Sequence, residues 1–256
     1  MEALAPVTLK DENFIQRLKI LQPDLFVIVA FRILPKEVYT IPTRGAFNLH
    51  ASLLPKFRGA APIQWSLING EKETGVTTFF LEEKVDTGNI IIQEKILIDD
   101  SDDYGSLHDK MMFLGADVVL KTVDMIDKEK VITKKQDDSL ASPAQKITKE
   151  ICQISWSKSA EEIHNLVRGL SPHPGASFEY NGKTYKVFKS KINIDQLEQN
   201  IHFTNHRLLT AERILQSKTE IFIRTIKGNL QILELQHEGR KRMTAEEFLR
   251  GYSLIN

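Results

Sequence analysis

Polar side chains in the stretch between Phe47 and Gly88 have the types and spacing needed for acyl-transfer chemistry. Asn48 and His50 stand two residues apart at the end of a short apolar segment, so on a strand they project to the same side. An amide donor beside an imidazole can polarise a carbonyl and stabilise an oxyanion. Asp86 lies in a Val-Asp-Thr-Gly turn, where a carboxylate can orient the imidazole and assist proton removal. These three side chains predict a catalytic cleft.

Each of these residues also has a purely structural explanation when it is taken alone. A histidine near a strand end is more often a satisfied polar residue, and Asp-Thr-Gly is most often only a turn. The Ser-Leu-Leu-Pro stretch that follows His50 can serve simply as a connector. The catalytic interpretation therefore depends on finding these elements together, in this order and spacing.

The first half of the chain must supply the strands that position these side chains. Residues 11–21 carry a helical apolar stripe, and residues 25–31 form a continuous apolar run that suits a parallel strand covered on both faces. Further helices and strands are predicted at 35–41, 45–49, 62–67, 75–81, 89–98 and 107–118. This alternation predicts an α/β domain with a Rossmann-like, mostly parallel sheet. In such a sheet, Asn48 and His50 face the ligand crevice at the carboxyl edge.

The second half of the chain has a different pattern. Capping boxes begin at Ser159 and Thr244, and hairpin turns are predicted around Asn181-Gly182 and at residues 227–229. Short antiparallel strands with small helices predict a smaller OB-like β-barrel. The predicted division is a catalytic domain, a polar linker and a C-terminal OB-like domain, at residues 1–130, 131–149 and 150–256.

Composition is typical of a soluble globular protein, with 41% hydrophobic and 27% charged residues among 256. The lone cysteine, Cys152, cannot form an intramolecular disulfide and suits a reducing cytosol. No apolar run approaches the ~20 residues of a membrane span, and the first residues do not read as a secretory signal. We therefore expect a cytoplasmic protein without a membrane partner.

Charge is divided unevenly between the two halves. Residues 1–150 carry 19 Lys and Arg against 23 Asp and Glu, a net charge of −4. Residues 151–256 carry 15 against 11, a net charge of +4. A basic second half attached to an acidic first half is compatible with nucleic-acid binding, although an imbalance of this size also arises by chance.

The stretch NLHASLLPKFRG, followed by DTG, resembles the signature of the folate-dependent formyltransferases. The resemblance implies that Asn48, His50 and Asp86 are catalytic. It also implies that the loop formed by Ser52, Leu53, Leu54 and Pro55 binds folate. The following RGAAPIQWSLINGEKETGVT resembles the methionyl-tRNA branch of that family, and the resemblance continues through KITKEICQISW, RGLSPHPGA and KRMTAEEFL.

The resemblance implies a reaction and its substrates. The donor would be 10-formyltetrahydrofolate, the acceptor would be the α-amine of the methionine on initiator tRNA, and no metal would be needed. The oxyanion would be held by the Asn48 amide and by His50, with Asp86 supporting His50. The tRNA-facing residues would be Lys146, Lys149 and Arg168, and we expect the enzyme to be a monomer.

Two features depart from the family pattern. Family members begin with a strand, a glycine-containing turn and further βα elements before the segment that matches Asp11, and many have glycine in place of Arg32. Without those elements, we expect the strand at residues 25–31 to expose an unpaired edge. We also expect an incomplete folate pocket and impaired activity.

Other interpretations stay open at this point. One is another formyltransferase of the family, acting on a nucleotide sugar or on glycinamide ribonucleotide. The purine enzyme lacks a C-terminal barrel, so residues 150–256 argue against it. A second is a catalytically impaired remnant that retains tRNA binding, and a third is an incomplete reading frame.

Overall fold

A computed structural model describes residues 2–29, 32–193 and 209–255. The chain divides into two compact units, each assembled from separated segments. The first comprises Met1–Pro62, Glu73–Leu97 and Asp109–Gln145, and the second Ile63–Lys72, Ile98–His108 and Lys146–Asn256. The division into catalytic domain, linker and C-terminal domain stays a prediction.

Helices and strands alternate through the first 145 residues, as the sequence predicts. They are α1 (Glu12–Ile20), β1 (Phe26–Val29), α2 (Lys36–Tyr39), β2 (Ala46–His50), β3 (Arg58–Gly59), α3 (Pro62–Ile68), β4 (Glu73–Phe80), β5 (Ile90–Leu97), α4 (Tyr104–Asp127), a 3₁₀ turn (Asp138–Leu140) and β6 (Pro143–Ala144). The helix predicted at residues 11–21 is confirmed as α1. It begins after Asp11, whose side chain caps it by accepting a hydrogen bond from the backbone N–H of Phe14.

The sheet of the first unit has the strand order β1-β2-β4-β5. β1 and β2 are parallel, with Phe26 opposite Ala46, whereas β4 is antiparallel to both β2 and β5. The sheet is therefore mixed, and the expectation of a mostly parallel sheet is wrong. The reason is the short connection at residues 81–89, which turns the chain back directly and so makes β5 run antiparallel to β4.

β1 lies at the edge of this sheet and pairs with β2 alone among the residues that the structure describes. Val27 and Val29 are 42% and 52% exposed, while Phe26 and Ile28 are half-buried. The expected open edge is therefore present. The expectation of a strand covered on both faces is wrong for residues 26–29, because only one face is packed.

The second unit contains an antiparallel sheet, two complete helices, most of α3 and the first residues of α4. Its elements from residue 146 onward are α5 (Ala160–Leu170), β7 (Ala176–Tyr180), β8 (Lys183–Asn193), a second 3₁₀ turn (Ala211–Arg213), β9 (Ile214–Gln216), β10 (Ile221–Arg224), β11 (Asn229–His237), β12 (Arg242–Thr244) and α6 (Ala245–Leu249). The strand order is β7-β8-β11-β10-β9, with β12 paired to β11. Within residues 146–193 and 209–255 these strands do not close into a barrel.

Local sequence signals in the second unit are confirmed. Ser159 and Thr244 each form a reciprocal capping box, with Glu162 and Glu247 respectively. Asn181 and Gly182 both have positive φ, at 48° and 70°, which is the backbone that a tight hairpin turn between β7 and β8 requires.

The core of the second unit is built around Trp156. Its ring lies edge-on to Phe178 at 5.5 Å, and Phe178 stacks on Tyr185 at 5.1 Å. Both tryptophans of the chain, Trp65 and Trp156, belong to this unit. None of the described helices has the length and apolar composition needed to cross a lipid bilayer.

His164 on α5 makes the stability of the second unit depend on pH. Its Nδ1 lies 2.9 Å from the hydroxyl of Ser190. Burial and, to a smaller extent, the positive charge of Arg168 lower the pKa of His164 from 6.5 to about 4, against the opposing effect of Asp100. The folded unit therefore resists protonation of a ring that the unfolded chain protonates readily.

We predict that stability conferred by neutral His164 is fully present above pH 6.5 and is lost as pH falls towards 4. The unfolded chain takes up a proton in this window and the folded chain does not. His164→Gln should flatten the decline in urea-unfolding free energy followed by tryptophan fluorescence. His173→Gln, at an exposed histidine, is the control, and an unchanged decline in His164→Gln would contradict the assignment.

Candidate active site

Asn48 and His50 reach the same side of β2 near its carboxyl end. Antiparallel pairing with β4 fixes their register, with Asn48 opposite Phe79 and His50 opposite Thr77. The His50 side chain is buried, and its Nε2 lies 2.8 Å from the carbonyl oxygen of Phe57. A carbonyl oxygen only accepts, so Nε2 carries a hydrogen and donates it.

Asp86 approaches the other nitrogen of the His50 ring. Asp86 Oδ2 lies 3.8 Å from His50 Nδ1, and both side chains are nearly buried. The same carboxylate oxygen accepts a 2.9 Å hydrogen bond from the backbone N–H of Gly59. The structure thus brings His50 and Asp86 together beside Asn48, while the catalytic roles of the three residues stay predictions.

The turn that carries Asp86 has an unusual backbone. Asp86 has φ of 56°, in the left-handed region that few residues other than glycine adopt. Two residues later, a Cβ at Gly88 would collide with the carbonyl oxygen of Phe80. The glycine of the Asp-Thr-Gly motif is therefore required by the close approach of this turn to the end of β4.

The Ser-Leu-Leu-Pro loop is held by two side chains of the neighbouring strands. Thr77 Oγ1 donates to the carbonyl of Ser52 at 2.6 Å and accepts from the N–H of Leu54 at 3.2 Å. Gln93 Nε2 donates to the carbonyl of Leu54 at 2.9 Å and to Thr77 Oγ1 at 3.0 Å. Side chains of β4 and β5 therefore fix the backbone of this loop through hydrogen bonds.

The side chains of the loop divide into two kinds. Ser52 and Leu54 are 0% and 3% exposed, and Leu54 packs against Phe79 and Ile90. Leu53 and Pro55 are only half-buried. The two buried residues shape the loop, whereas Leu53 and Pro55 retain surface that a ligand can contact.

The segment 136–144 anchors the opposite side of the site. Ser142 Oγ accepts from the N–H of Phe57 at 2.9 Å, and β6 pairs with β3 so that Arg58 lies opposite Pro143. Gln136 bonds to Arg58 and to the Asp86 turn. Sequence reasoning gave this segment no role in the site, because a polar stretch without periodicity carries no signal of such contacts.

The predicted tRNA-facing residues lie in different surroundings. Lys146 and Lys149 are exposed. Arg168 is half-buried, and it donates from Nε to the carbonyl of Asp102 at 2.6 Å and from Nη2 to the carbonyl of Asp99 at 2.7 Å. Arg32 reaches back to the carbonyls of Pro6 and Val7, each at 3.2 Å.

Comparison with known proteins identifies the family. Residues 1–123 match the Formyl transferase family, and residues 146–253 match the Formyl transferase, C-terminal domain family. A methionyl-tRNA formyltransferase of Flavobacterium psychrophilum is 45% identical over 249 residues, which cover 97% of this chain and 77% of that protein. One from Flavobacterium johnsoniae is 44% identical over 253 residues, with the same coverage of each chain. The chain belongs to the methionyl-tRNA formyltransferase family.

A solved structure extends this relationship at the level of fold. WlaRD, a sugar 3N-formyl transferase determined in the presence of dTDP and 5-N-formyl-THF, matches with a TM-score of 0.66 at 23% identity. The match covers 88% of this chain and 77% of WlaRD. At this identity the likeness concerns the fold alone. The nucleotide-sugar alternative therefore has only distant structural neighbours in its favour, and the resemblance to the methionyl-tRNA branch is confirmed.

We predict that Gly88→Ala lowers the free energy of unfolding of the first unit by about 1–3 kcal/mol, as overpacking typically does. The added methyl group meets backbone, which cannot rotate away. Urea denaturation followed by circular dichroism measures the change. Gly251→Ala, where the Cβ meets nothing within 4 Å, is the matched control, and equal stability of the two variants would contradict the prediction.

Proposed function

We propose that this chain transfers a formyl group from 10-formyltetrahydrofolate to the α-amine of methionine on initiator tRNA, as a step in translation initiation. The observation that carries the proposal is the nearly buried His50–Asp86 pair, with 3.8 Å between Nδ1 of His50 and Oδ2 of Asp86. Asn48 lies beside this pair, on the same strand as His50. Membership in the methionyl-tRNA formyltransferase family supports the choice of acceptor.

Each residue of the pair and Asn48 has a distinct task in this proposal. Formyl transfer joins the amine nitrogen to the formyl carbon, places negative charge on the formyl oxygen, and releases the bond to the folate nitrogen. Because the Nε2 hydrogen of His50 is held by the carbonyl of Phe57, the Asn48 amide is the donor to the oxyanion. The His50–Asp86 pair accepts the proton that the amine loses and returns a proton to the folate nitrogen as its bond to the formyl carbon breaks.

The Ser52–Pro55 loop is the proposed folate contact. Its backbone is fixed by Thr77 and Gln93, so it offers a preformed surface whose half-buried members are Leu53 and Pro55. Ligand sites are commonly apolar surfaces of this kind with a few fixed polar groups. The folate supplies the formyl group, and the proposed mechanism uses no metal ion.

The second half of the chain is the proposed tRNA-binding domain. We propose that its sheet belongs to an OB-like barrel, that residues 131–149 link it to the catalytic domain, and that the protein acts as a cytoplasmic monomer. The net charge of +4 over residues 151–256 suits phosphate contacts, and we assign such contacts to Arg168 in this domain and to Lys146 and Lys149 in the linker.

Loss of the Asn48 amide tests the proposed reaction. We predict that Asn48→Ala lowers kcat for formylation of methionyl-tRNA by about 100- to 1000-fold, the usual effect of removing one oxyanion donor. Asn13→Ala, at an exposed residue of α1, should leave the rate unchanged. A wild-type rate in Asn48→Ala would contradict the role given to Asn48, and formylation of a nucleotide amino sugar in place of methionyl-tRNA would contradict the proposed function.

Salt dependence tests the proposed tRNA contacts. We predict that Lys146→Ala with Lys149→Ala weakens tRNA binding by the full chain and lowers the slope of log affinity against log salt by about one for each lysine. The physical cause is the release of fewer counterions from the phosphates. Lys10→Ala, an exposed lysine of the first unit, is the control. An unchanged slope in the double variant would remove both lysines from the interface.

A further inference from the structure

Gln136 lies outside the catalytic motif but has its side chain buried against it, with a residue exposure of 6%. Its Nε2 donates to the carbonyl of Asp86 at 2.9 Å and to the carbonyl of Gly88 at 2.8 Å. A glutamine amide nitrogen has two hydrogens, so both are used on the backbone of the Asp86 turn.

The other end of the amide is equally occupied. Gln136 Oε1 accepts from Arg58 Nε at 3.1 Å and from Arg58 Nη2 at 2.8 Å. The residue after Arg58 is Gly59, whose N–H donates to the Asp86 carboxylate at 2.9 Å. A closed set of hydrogen bonds therefore joins the Asp86 turn, the Arg58-Gly59 strand and Gln136.

The Asp86 turn requires such support because its backbone is strained. The φ of 56° at Asp86 persists only where surrounding contacts over-determine it. Rotation of this turn would carry the carboxylate away from His50 Nδ1, which lies 3.8 Å from it. Gln136 holds the carbonyls on both sides of Thr87 and so opposes that rotation.

We infer that Gln136 is a positioning residue for formyl transfer: it holds the Asp86 turn in the geometry that places the carboxylate against His50. The inference rests on the proposed function, because it assigns Gln136 an effect on rate that acts through Asp86. A buried glutamine without this task would affect only stability.

The chemistry of the contact explains why glutamine is needed at this position. Glutamate keeps an acceptor for Arg58 but turns a carboxylate towards the carbonyl oxygens of Asp86 and Gly88, which repel it. Alanine removes both halves of the contact and leaves buried polar groups without partners. Gln136→Glu therefore separates the tie to the Asp86 turn from the tie to Arg58, within nearly the same volume.

The first test is the kinetics of two variants. We expect Gln136→Ala and Gln136→Glu to lower kcat by about 10- to 100-fold, because displacements of ~1 Å in positioned groups have effects of this size. KM for the folate should change little, because the Ser52–Pro55 loop is held by Thr77 and Gln93 instead. Wild-type kcat in folded Gln136→Glu would overturn the inference.

A double-mutant cycle distinguishes positioning of Asp86 from general structural support. Once Asp86→Asn has removed the carboxylate, adding Gln136→Ala should reduce the single-turnover rate by less than about threefold, since groups that act as a unit are not additive. Equal losses from Gln136→Ala in both backgrounds would overturn the inference, whatever the thermal stabilities of the variants.

Asp138→Ala is the matched control. Asp138 Oδ1 accepts from the same Arg58 Nη2, at 2.7 Å, and its side chain is 78% exposed. Asp138→Ala should leave kcat unchanged. A decrease in kcat equal to that of Gln136→Ala would assign the effect to Arg58 instead. If the wild-type chain does not formylate methionyl-tRNA, the proposed function fails. If it does, but Asp86→Asn or folded Gln136→Glu retains the wild-type rate, the present inference fails and the proposed function stands.

Discussion

The register between β2 and β4 is the constraint on which the site depends. It places His50 opposite Thr77, and the Thr77 hydroxyl in turn binds Ser52 and Leu54. One strand pairing therefore fixes the His50 imidazole and the Ser52–Pro55 loop together. A slip by one residue would move Asn48 and His50 to the other face of the sheet. The apolar burial of Phe47, which is 0% exposed, opposes such a slip.

Sequence reasoning located the parts of the fold whose causes are local. The capping boxes at Ser159 and Thr244 and the Asn181-Gly182 turn are short-range signals, and the structure contains each of them. Strand direction was predicted wrongly, because an apolar run specifies burial and not the partner beside it. Nor does a run of hydrophobic residues report whether its strand lies at an edge, as Val27 and Val29 show.

Much the same division holds within the site. Asn48, His50 and Asp86 stand out because their side-chain types suggest chemistry, and the structure brings His50 and Asp86 within 3.8 Å. Gln136 and Ser142 are missed because their partners lie far away in sequence. Gln136 is 50 residues from Asp86, and Ser142 is 85 residues from Phe57. No local pattern reports such contacts. Strained positions such as Asp86 are where local preference and function are expected to conflict.

Because segment 136–144 contacts the site, the site can form only late in the synthesis of the first unit. The motif from Asn48 to Gly88 leaves the ribosome first, and the long helix α4, residues Tyr104–Asp127, follows. Only then do the residues that bond to Phe57, Arg58 and Asp86 emerge. At a synthesis rate of about 5–20 residues per second, the nascent chain carries this motif for seconds before the motif can acquire its final geometry.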